Sequence, residues 1–152
     1  MIGIIILTYN NWEETKRCIE SIVNFPPEED YHIYCIDNGS SVRSPFDFEK
    51  QYGKQILTLI CTGKNLGYAA GNNVGIKEAL QDGCEWLVIS NNDIVFCENA
   101  ISGIIFKKSS TGRNCWSESY KAGWKNTKGL YVYKNRDEGK VSFKDTVPHF
   151  FP

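Results

Sequence analysis

The sequence has no excess of charge of either sign and no long hydrophobic run. Its 17 basic residues nearly balance 18 acidic ones, and the formal net charge of -1 provides no overall field to attract nucleic acid. The apolar run at residues 2–7 follows no basic residue and is too short for a signal-peptide core or a membrane span. We therefore expect a cytoplasmic protein with no nucleic-acid partner and no transmembrane segment.

Zinc-binding and phosphate-binding motifs are also missing. The six cysteines include no C-x-x-C pair and no zinc pattern with the two histidines, so we expect reduced, mostly buried thiols. No G-x-G-x-x-G follows the first apolar run, and G-x-x-x-x-G-K-[ST] does not occur. These absences argue against dinucleotide-binding and P-loop proteins.

Strand-like and helix-like segments alternate along the first 108 residues. Apolar, β-branched or aromatic runs predict strands at residues 3–8, 31–36, 55–62 and 85–90. The first is almost continuously apolar, as expected of a strand that is covered on both faces. The alternation predicts an α/β fold with a mainly parallel sheet and helices on both faces.

Helices are predicted between these strands. Asn11 and Glu14 have the spacing of a capping box at the start of the first helix, which Pro26-Pro27 ends. A second helix is expected from Tyr68 to Gly83, and an amphipathic segment at about 98–108. The apolar side of the second helix is predicted to consist of Ala70, Val74, Ala79 and Leu80.

Residues 109–152 differ in character from the α/β unit at 1–108. They are polar, contain scattered glycines and carry Trp116, Trp124, Tyr131 and Tyr133. Runs at 129–134 and 140–144 predict short strands, and one arrangement is a β-ribbon that packs on the first part of the chain.

Polar clusters directly follow the four predicted strands. They are Thr8-Tyr9-Asn10, Asp37-Asn38-Gly39-Ser40, Gly63-Lys64-Asn65 and Asn91-Asn92-Asp93. Ligands of parallel sheets bind at the carboxyl ends of the strands. We therefore expect the four clusters to line one edge of the sheet, called the carboxyl rim below.

The clusters suit a nucleotide, although each residue also has an ordinary structural explanation. Tyr9 offers an aromatic face for a base, or it packs at a strand end. Asp37 can accept a hydrogen bond from a base N–H, or it caps its own turn. The oxygen-bearing side chains at 91–93 suit Mg²⁺ or Mn²⁺ together with substrate phosphates, or they form a common turn.

Taken together, these motifs resemble the family 2 glycosyltransferases of the GT-A fold, especially their rhamnosyltransferase-like members. The resemblance covers about residues 2–108 and rests on IIILTYN at 4–10, IDNGSS at 36–41, NLGYAAGNNVG at 65–75 and NND at 91–93. It implies a Rossmann-like GT-A sheet that binds a UDP- or dTDP-sugar. The implied activity is transfer of the sugar to an acceptor hydroxyl in polysaccharide biosynthesis.

The resemblance also implies roles for individual residues. Thr8, Tyr9 and Asp37 would hold the base. Asn91 would lie near the ribose, and Asp93 would bind the Mg²⁺ or Mn²⁺ ion that bridges the diphosphate. Asn91 replaces the first acid of the usual D-x-D motif, which removes one charge from the metal site. The other implied nucleotide-sugar contacts are Asn10, Asn38, Gly39, Asn92 and the pocket-wall residues Asn65, Gly67 and Asn73.

Members of this family normally continue into an acceptor-binding half that carries an acidic general base. No matched counterpart is found here, since Asp137, Glu138 and Asp145 lie in unmatched context. Three hypotheses stay open. The first is a glycosyltransferase with a saccharide or lipid-linked acceptor, and the second is a truncated module that binds a nucleotide or nucleotide sugar without transfer. The third is a purely structural α/β protein with ordinary turns at every strand end, which would bind no nucleotide. Location at the inner face of the membrane and homo-oligomerisation through the uncovered face are further expectations.

Overall fold

Residues 1–111 and 130–134 of the 152-residue chain are described by a computed structural model. Five strands form one sheet: β1 (Ile2–Thr8), β2 (Tyr31–Asp37), β3 (Leu57–Cys61), β4 (Trp86–Asn91) and β5 (Leu130–Lys134). Their order across the sheet is β3-β2-β1-β4-β5. The first four strands run parallel, and β5 pairs antiparallel with β4. The predicted α/β fold with a mainly parallel sheet is confirmed.

Helices cover both faces of the sheet. They are α1 (Trp12–Asn24), α2 (Phe48–Tyr52), α3 (Tyr68–Gln81) and α4 (Ala100–Thr111). Residues of α1, α2 and α4 share one hydrophobic core with Ile4 and Ile6, whereas α3 packs in a second core with Ile5. All three isoleucines are fully buried. This double coverage explains why β1 is continuously apolar.

The short helix α2 was not predicted from the sequence. Asp47 caps it by accepting a hydrogen bond from the Lys50 N–H (3.1 Å), and the buried Phe48 packs in the core. The carboxylate of Glu49 accepts a hydrogen bond from the Leu59 N–H over 3.0 Å. Since β3 is an outer strand, this contact satisfies one backbone donor that no neighbouring strand can reach.

The capping box predicted at the start of α1 is wrong. Asn11 occupies the N-cap position, but its side chain makes no capping hydrogen bond. Its backbone carbonyl instead accepts hydrogen bonds from the Thr15 N–H (3.1 Å) and the Thr15 hydroxyl (2.7 Å). The Glu14 carboxylate is paired with Arg17 one turn along the helix. The Glu14 carboxylate is therefore engaged along the helix and does not turn back to the N-cap.

The predicted apolar side of α3 is correct in part: Ala79 is buried, and Val74 and Leu80 pack against the second core. Ala70 is exposed, and the residues buried on α3 are Gly71, Asn72, Gly75, Ile76 and Ala79. A Cβ at Gly71 would lie 2.7 Å from Leu7 Cδ1, and one at Gly75 would lie 2.7 Å from Ile5 Cγ2. The two glycines therefore allow the helix backbone to approach the sheet closely.

The second part of the chain is described only in part. The run at 129–134, predicted as a strand, coincides with β5 (Leu130–Lys134), which extends the main sheet. The run at 140–144 and the two tryptophans Trp116 and Trp124 lie outside the described residues. The division at residue 108 stays a prediction. Within residues 1–111 and 130–134, every helix is too short or too polar to cross a membrane.

Candidate functional site

The strand register brings the predicted site segments together. Thr8 of β1 is aligned with Asp37 of β2, and Leu7 is aligned with Asn91 of β4. Asp37 is in turn aligned with Cys61 of β3. Because all four strands run parallel, the loops that follow them leave the sheet at one edge. The expected carboxyl rim is therefore present, and its polar clusters lie side by side.

Thr8 and Asn92 connect the rim to helix α1. Thr8 is buried, and its Oγ1 lies 2.7 Å from Thr15 Oγ1. The Asn92 amide donates hydrogen bonds to Thr15 Oγ1 (3.0 Å) and to the Asn11 carbonyl (3.2 Å). Both polar side chains are thus engaged within the protein. They join the end of β1 and the turn after β4 to the first turn of α1.

Tyr9 and Asn10 occupy contrasting environments just after β1. The Tyr9 side chain is 49% exposed, so its ring is accessible from the rim. Asn10 has a left-handed φ of 58° and its Oδ1 accepts hydrogen bonds from the backbone N–H groups of Ser41 (2.8 Å) and Val42 (3.3 Å). Asn10 therefore holds the loop after β2, whereas Tyr9 remains available to a ligand.

The turn after β2 packs against the loop that precedes α3. Asp37 Oδ1 accepts a hydrogen bond from the Ser40 N–H (2.9 Å), so the carboxylate does cap its own turn. Asn38 is 3% exposed, and its Oδ1 accepts a hydrogen bond from the Leu66 N–H (3.0 Å). A Cβ on Gly39, whose φ is +75°, would lie 2.2 Å from the carbonyl carbon of Lys64. Only glycine fits there without moving the backbone.

The loop at residues 65–67 sets the start of α3. Asn65 Oδ1 accepts hydrogen bonds from the Gly67 N–H (2.8 Å) and the Asn38 amide (3.1 Å). Gly67, at the N-cap of α3, has a φ of 82°. Asn73, one turn into the helix, is half-buried.

Tyr68 is a rim residue that sequence reasoning missed. Its hydroxyl donates a hydrogen bond to Asn91 Oδ1 over 2.7 Å and so connects the start of α3 to the end of β4. The only sequence signal was its position directly after Gly67 in the predicted motif. That signal does not reveal which residue the hydroxyl contacts.

A cleft of about 620 Å³ opens beside Asp37 on the side of the sheet that α1 and α2 cover. Its lining includes Trp12, Arg43 and Phe46, which no recognisable motif marks in the sequence. Asp37 and Ser40 are the predicted-cluster residues that contribute to this cleft, while Asn91 and Asp93 lie outside its lining. The rim therefore offers a concave region near Asp37, and Asp93 lies outside it and is exposed.

Asp93 fits the role of an ion ligand better than its neighbours do. It is exposed, and it makes no hydrogen bond or ion pair with any residue in the described part of the chain. Residues 1–111 and 130–134 contain no cluster of three or more histidine, cysteine or acidic side chains. A divalent cation here would depend on Asp93, on ligand oxygens and on water, a donor set that Mg²⁺ and Mn²⁺ accept.

Cys18 lies beneath this part of the rim but is not suited to bind a metal. Its Sγ lies 3.8 Å from the Asn91 carbonyl oxygen, and the side chain is fully buried. Burial raises the pKa of the Cys18 thiol to about 12, a hydrogen bond with Ser90 opposes that rise, and the charge of Asp93 adds to it. The thiol therefore stays protonated at neutral pH, whereas metals bind the thiolate.

The fold and the rim together define an α/β protein whose polar clusters lie at the carboxyl ends of a parallel sheet. Comparison with known families identifies it further: the family described as Glycosyl transferase family 2 matches residues 3–136. The chain belongs to this family.

Individual relatives agree with this assignment. The chain is 30% identical over 113 residues to a poly(ribitol-phosphate) beta-glucosyltransferase of Bacillus spizizenii, which covers 72% of this chain. It spans only 17% of the length of that relative.

Solved structures show the same fold at low sequence identity. S. aureus TarS 1-349 in complex with UDP-GlcNAc matches 72% of this chain with a TM-score of 0.60 and 16% identity. Mannosyltransferase PcManGT from Pyrobaculum calidifontis, in complex with GDP-Man and Mn2+, matches 68% with a TM-score of 0.57 and 18% identity. The match spans 31% of either solved chain. The sheet is that of the GT-A glycosyltransferases.

Proposed function

We propose that this chain carries the donor site of a glycosyltransferase, which binds a nucleoside-diphosphate sugar and a divalent cation. The observation that supports this most directly is the alignment of Thr8, Asp37 and Asn91 at one rim. Three segments far apart in the sequence there surround an accessible aromatic ring and an unpaired carboxylate. A base can stack on the ring, and the carboxylate can hold the divalent cation that a diphosphate binds.

The base would bind between Tyr9 and Asp37. The accessible Tyr9 ring can stack on a flat heterocycle. Asp37 Oδ1 accepts a hydrogen bond from the Ser40 N–H, and because a carboxylate can accept several hydrogen bonds, Asp37 can also accept one from a base N–H. The neighbouring cleft gives room beside this carboxylate. We propose a UDP- or dTDP-sugar, the donors that the family resemblance implies, and their bases each present a ring N–H to such an acceptor.

The diphosphate would lie near the end of β4, with Asp93 holding Mg²⁺ or Mn²⁺. A bound divalent cation would neutralise charge that develops on the departing diphosphate. Asp93 is open to such an ion, while the Asn92 amide faces α1 and is already hydrogen-bonded. The remaining contacts proposed from the sequence, at Asn10, Asn38, Gly39, Asn65, Gly67 and Asn73, would act mainly by shaping the loops around the ligand.

The sugar and the acceptor are finer parts of the proposal. The motif pattern favours a rhamnosyl-type donor, whereas the relative from Bacillus spizizenii is named as a glucosyltransferase. Both fit transfer to a saccharide or lipid-linked acceptor in polysaccharide biosynthesis. We place that reaction in the cytoplasm, at the inner face of the membrane.

A ligand panel tests the donor site. The melting temperature of the 152-residue chain would be measured with UDP, dTDP, GDP and their sugars, with and without Mn²⁺. Ligand at 100 times its Kd adds about 2.7 kcal/mol to the free energy of unfolding, a shift of several degrees. We expect stabilisation by UDP or dTDP, with a metal-dependent part that Asp93→Asn abolishes.

A matched control uses an exposed aspartate at the opposite edge of the sheet. Asp30 immediately precedes β2, so Asp30→Asn removes the same charge far from the rim and should respond to ligands as the wild type does. No stabilisation of the wild type by any nucleotide, with or without metal, would refute the donor site.

Transfer itself needs a second assay. If the chain is an enzyme, release of nucleoside diphosphate from the stabilising sugar donor depends on an added acceptor. Tight binding with no acceptor-dependent release would favour the alternative, a module that binds the nucleotide sugar without transferring it. Both outcomes are compatible with the donor site, and the assay decides between them.

A further inference from the structure

The hydrogen bond between Tyr68 and Asn91 joins two segments of the rim that lie 23 residues apart. The Tyr68 hydroxyl donates to Asn91 Oδ1 over 2.7 Å. Asn91 begins the Asn91-Asn92-Asp93 cluster, in which Asp93 is the proposed ion ligand. The contact therefore reaches directly into the proposed diphosphate region.

Tyr68 is itself held in place by two buried amides. The Asn72 amide donates a hydrogen bond to the Tyr68 carbonyl (2.9 Å), and Asn72 is fully buried. The Asn38 amide donates to the carbonyl of the preceding residue, Gly67 (3.4 Å). Both flanking peptide groups of Tyr68 are thus anchored, one from the turn after β2 and one from α3. A hydroxyl presented from such a backbone has a defined position.

The oxygen end of the Asn91 amide is the end that is turned towards α3. The oxygen and nitrogen of an asparagine amide have nearly the same shape, so packing alone does not select between the two orientations. The Tyr68 hydroxyl can donate to Oδ1 or accept from Nδ2, and in the structure it donates to Oδ1. The Asn91 Nδ2 makes no hydrogen bond to the described residues, so its N–H groups remain available to a ligand.

We propose that Tyr68 is a positioning residue of the donor site and acts through Asn91. It holds Asn91 Oδ1 towards α3 and leaves the amide N–H groups to donate to an oxygen of the bound nucleotide. Asn91 then contributes a hydrogen-bond donor where an acidic residue would contribute a negative charge. This inference rests on the proposed nucleotide site.

The test compares Tyr→Phe substitutions at two tyrosines, each of which removes a hydroxyl that donates a hydrogen bond over 2.7 Å. Tyr68→Phe removes the donor to Asn91, and Tyr34→Phe removes the donor to Asp82 beyond the carboxyl end of α3, at the opposite edge of the sheet. Titration calorimetry with UDP or dTDP in the presence of Mg²⁺ gives the Kd. We expect about a 3- to 10-fold rise in Kd for Tyr68→Phe and no change for Tyr34→Phe.

A double-mutant cycle shows whether Tyr68 acts through Asn91. In an Asn91→Ala background, Tyr68→Phe should change Kd by less than about 2-fold, because the group that it positions is gone. Equal fold-changes in both backgrounds, or an unchanged Kd for Tyr68→Phe alone, would overturn the inference. A wild type that binds no nucleotide would instead refute the proposed donor site, and the inference with it.

A measurement on the wild type keeps the inference testable if Tyr68→Phe does not fold. The side-chain NH₂ signals of Asn91 are assigned in ¹⁵N-asparagine-labelled protein by their loss in Asn91→Ala. Addition of UDP or dTDP with Mg²⁺ should shift these signals, because the amide protons donate to the ligand. Binding that leaves them unshifted would overturn the inference.

Discussion

Gly75 should be the residue at which the close packing of α3 on the sheet is most sensitive to substitution. An added Cβ would lie 2.7 Å from Ile5 Cγ2 and 3.1 Å from two carbons of Ile36. Both isoleucines are fully buried, and Cγ2 is attached directly to the β-carbon, so it cannot turn away freely. Carbon atoms normally pack at about 3.5 to 4.0 Å, so Gly75→Ala forces a shift of about 1 Å.

Two opposing terms set the size of the effect. Alanine favours a helix over glycine by about 1 kcal/mol, whereas overpacking a core costs about 1 to 3 kcal/mol. Because the site is rigid on both sides, we expect the cost of overpacking to lie in the upper part of its range. The free energy of unfolding should then fall by a net amount of about 1 to 2 kcal/mol. Urea denaturation followed by circular dichroism measures this directly, and the melting temperature should fall by about 2 to 8 °C.

The helix-propensity term can be measured separately at Lys77, which is exposed on the same helix. Lys77→Ala and Lys77→Gly should differ by about 1 kcal/mol in favour of alanine. If Gly75→Ala is as stable as the wild type or more so, the close approach of α3 to β1 and β2 is not tight, and the reasoning from the glycines fails.

Two further predictions concern pH and the loop after β2. Because burial raises the pKa of Cys18 from 9.0 to about 12, the unfolded chain loses this proton first, and the free energy of unfolding should fall between those pH values. This thiol alone lowers the free energy of unfolding by at most about 1.4 kcal/mol per pH unit. If urea titrations show that the free energy of unfolding of Cys18→Ala depends on pH as steeply as that of the wild type, the prediction is wrong. Asn10→Gly should lower the free energy of unfolding by about 1 kcal/mol, because the hydrogen bonds to the loop are lost. Asn10→Ala should lower it by about 1 kcal/mol more, because alanine is strained at the φ of 58° that this position adopts. Equal stability of the two variants in urea would show that this backbone angle carries no strain.

The strands and the carboxyl rim could be predicted because their signals are local. Apolar runs identify β1 to β4, and polar residues directly follow each run. Once the strands are taken to be parallel, the clusters must leave the sheet at one edge. The fold class alone was therefore enough to predict that Asp37 and Asp93 lie on that edge. The structure places both there.

The contacts of the rim residues could not be predicted in the same way. An exposed Tyr9 and a buried Thr8 are neighbours in the sequence, and nothing local shows that one ring is accessible while the other side chain is tied to α1. The hydroxyl of Tyr68 contacts a residue 23 positions away. Such pairings depend on how closely α3 lies against the sheet, which Gly71 and Gly75 allow.

The amino-acid sequence by itself determined the alternation of β1 to β4 with α1 and α3, the doubly covered sheet and the edge that carries the polar clusters, because these follow from periodicity and from the direction of the strands. Only the tertiary structure decided which polar groups are already used within the protein. Asn10, Asn38 and Asn92 are hydrogen-bonded within the protein, and Tyr9 and Asp93 remain open. The physical reason is that a polar side chain is free or engaged according to neighbours that are distant along the chain.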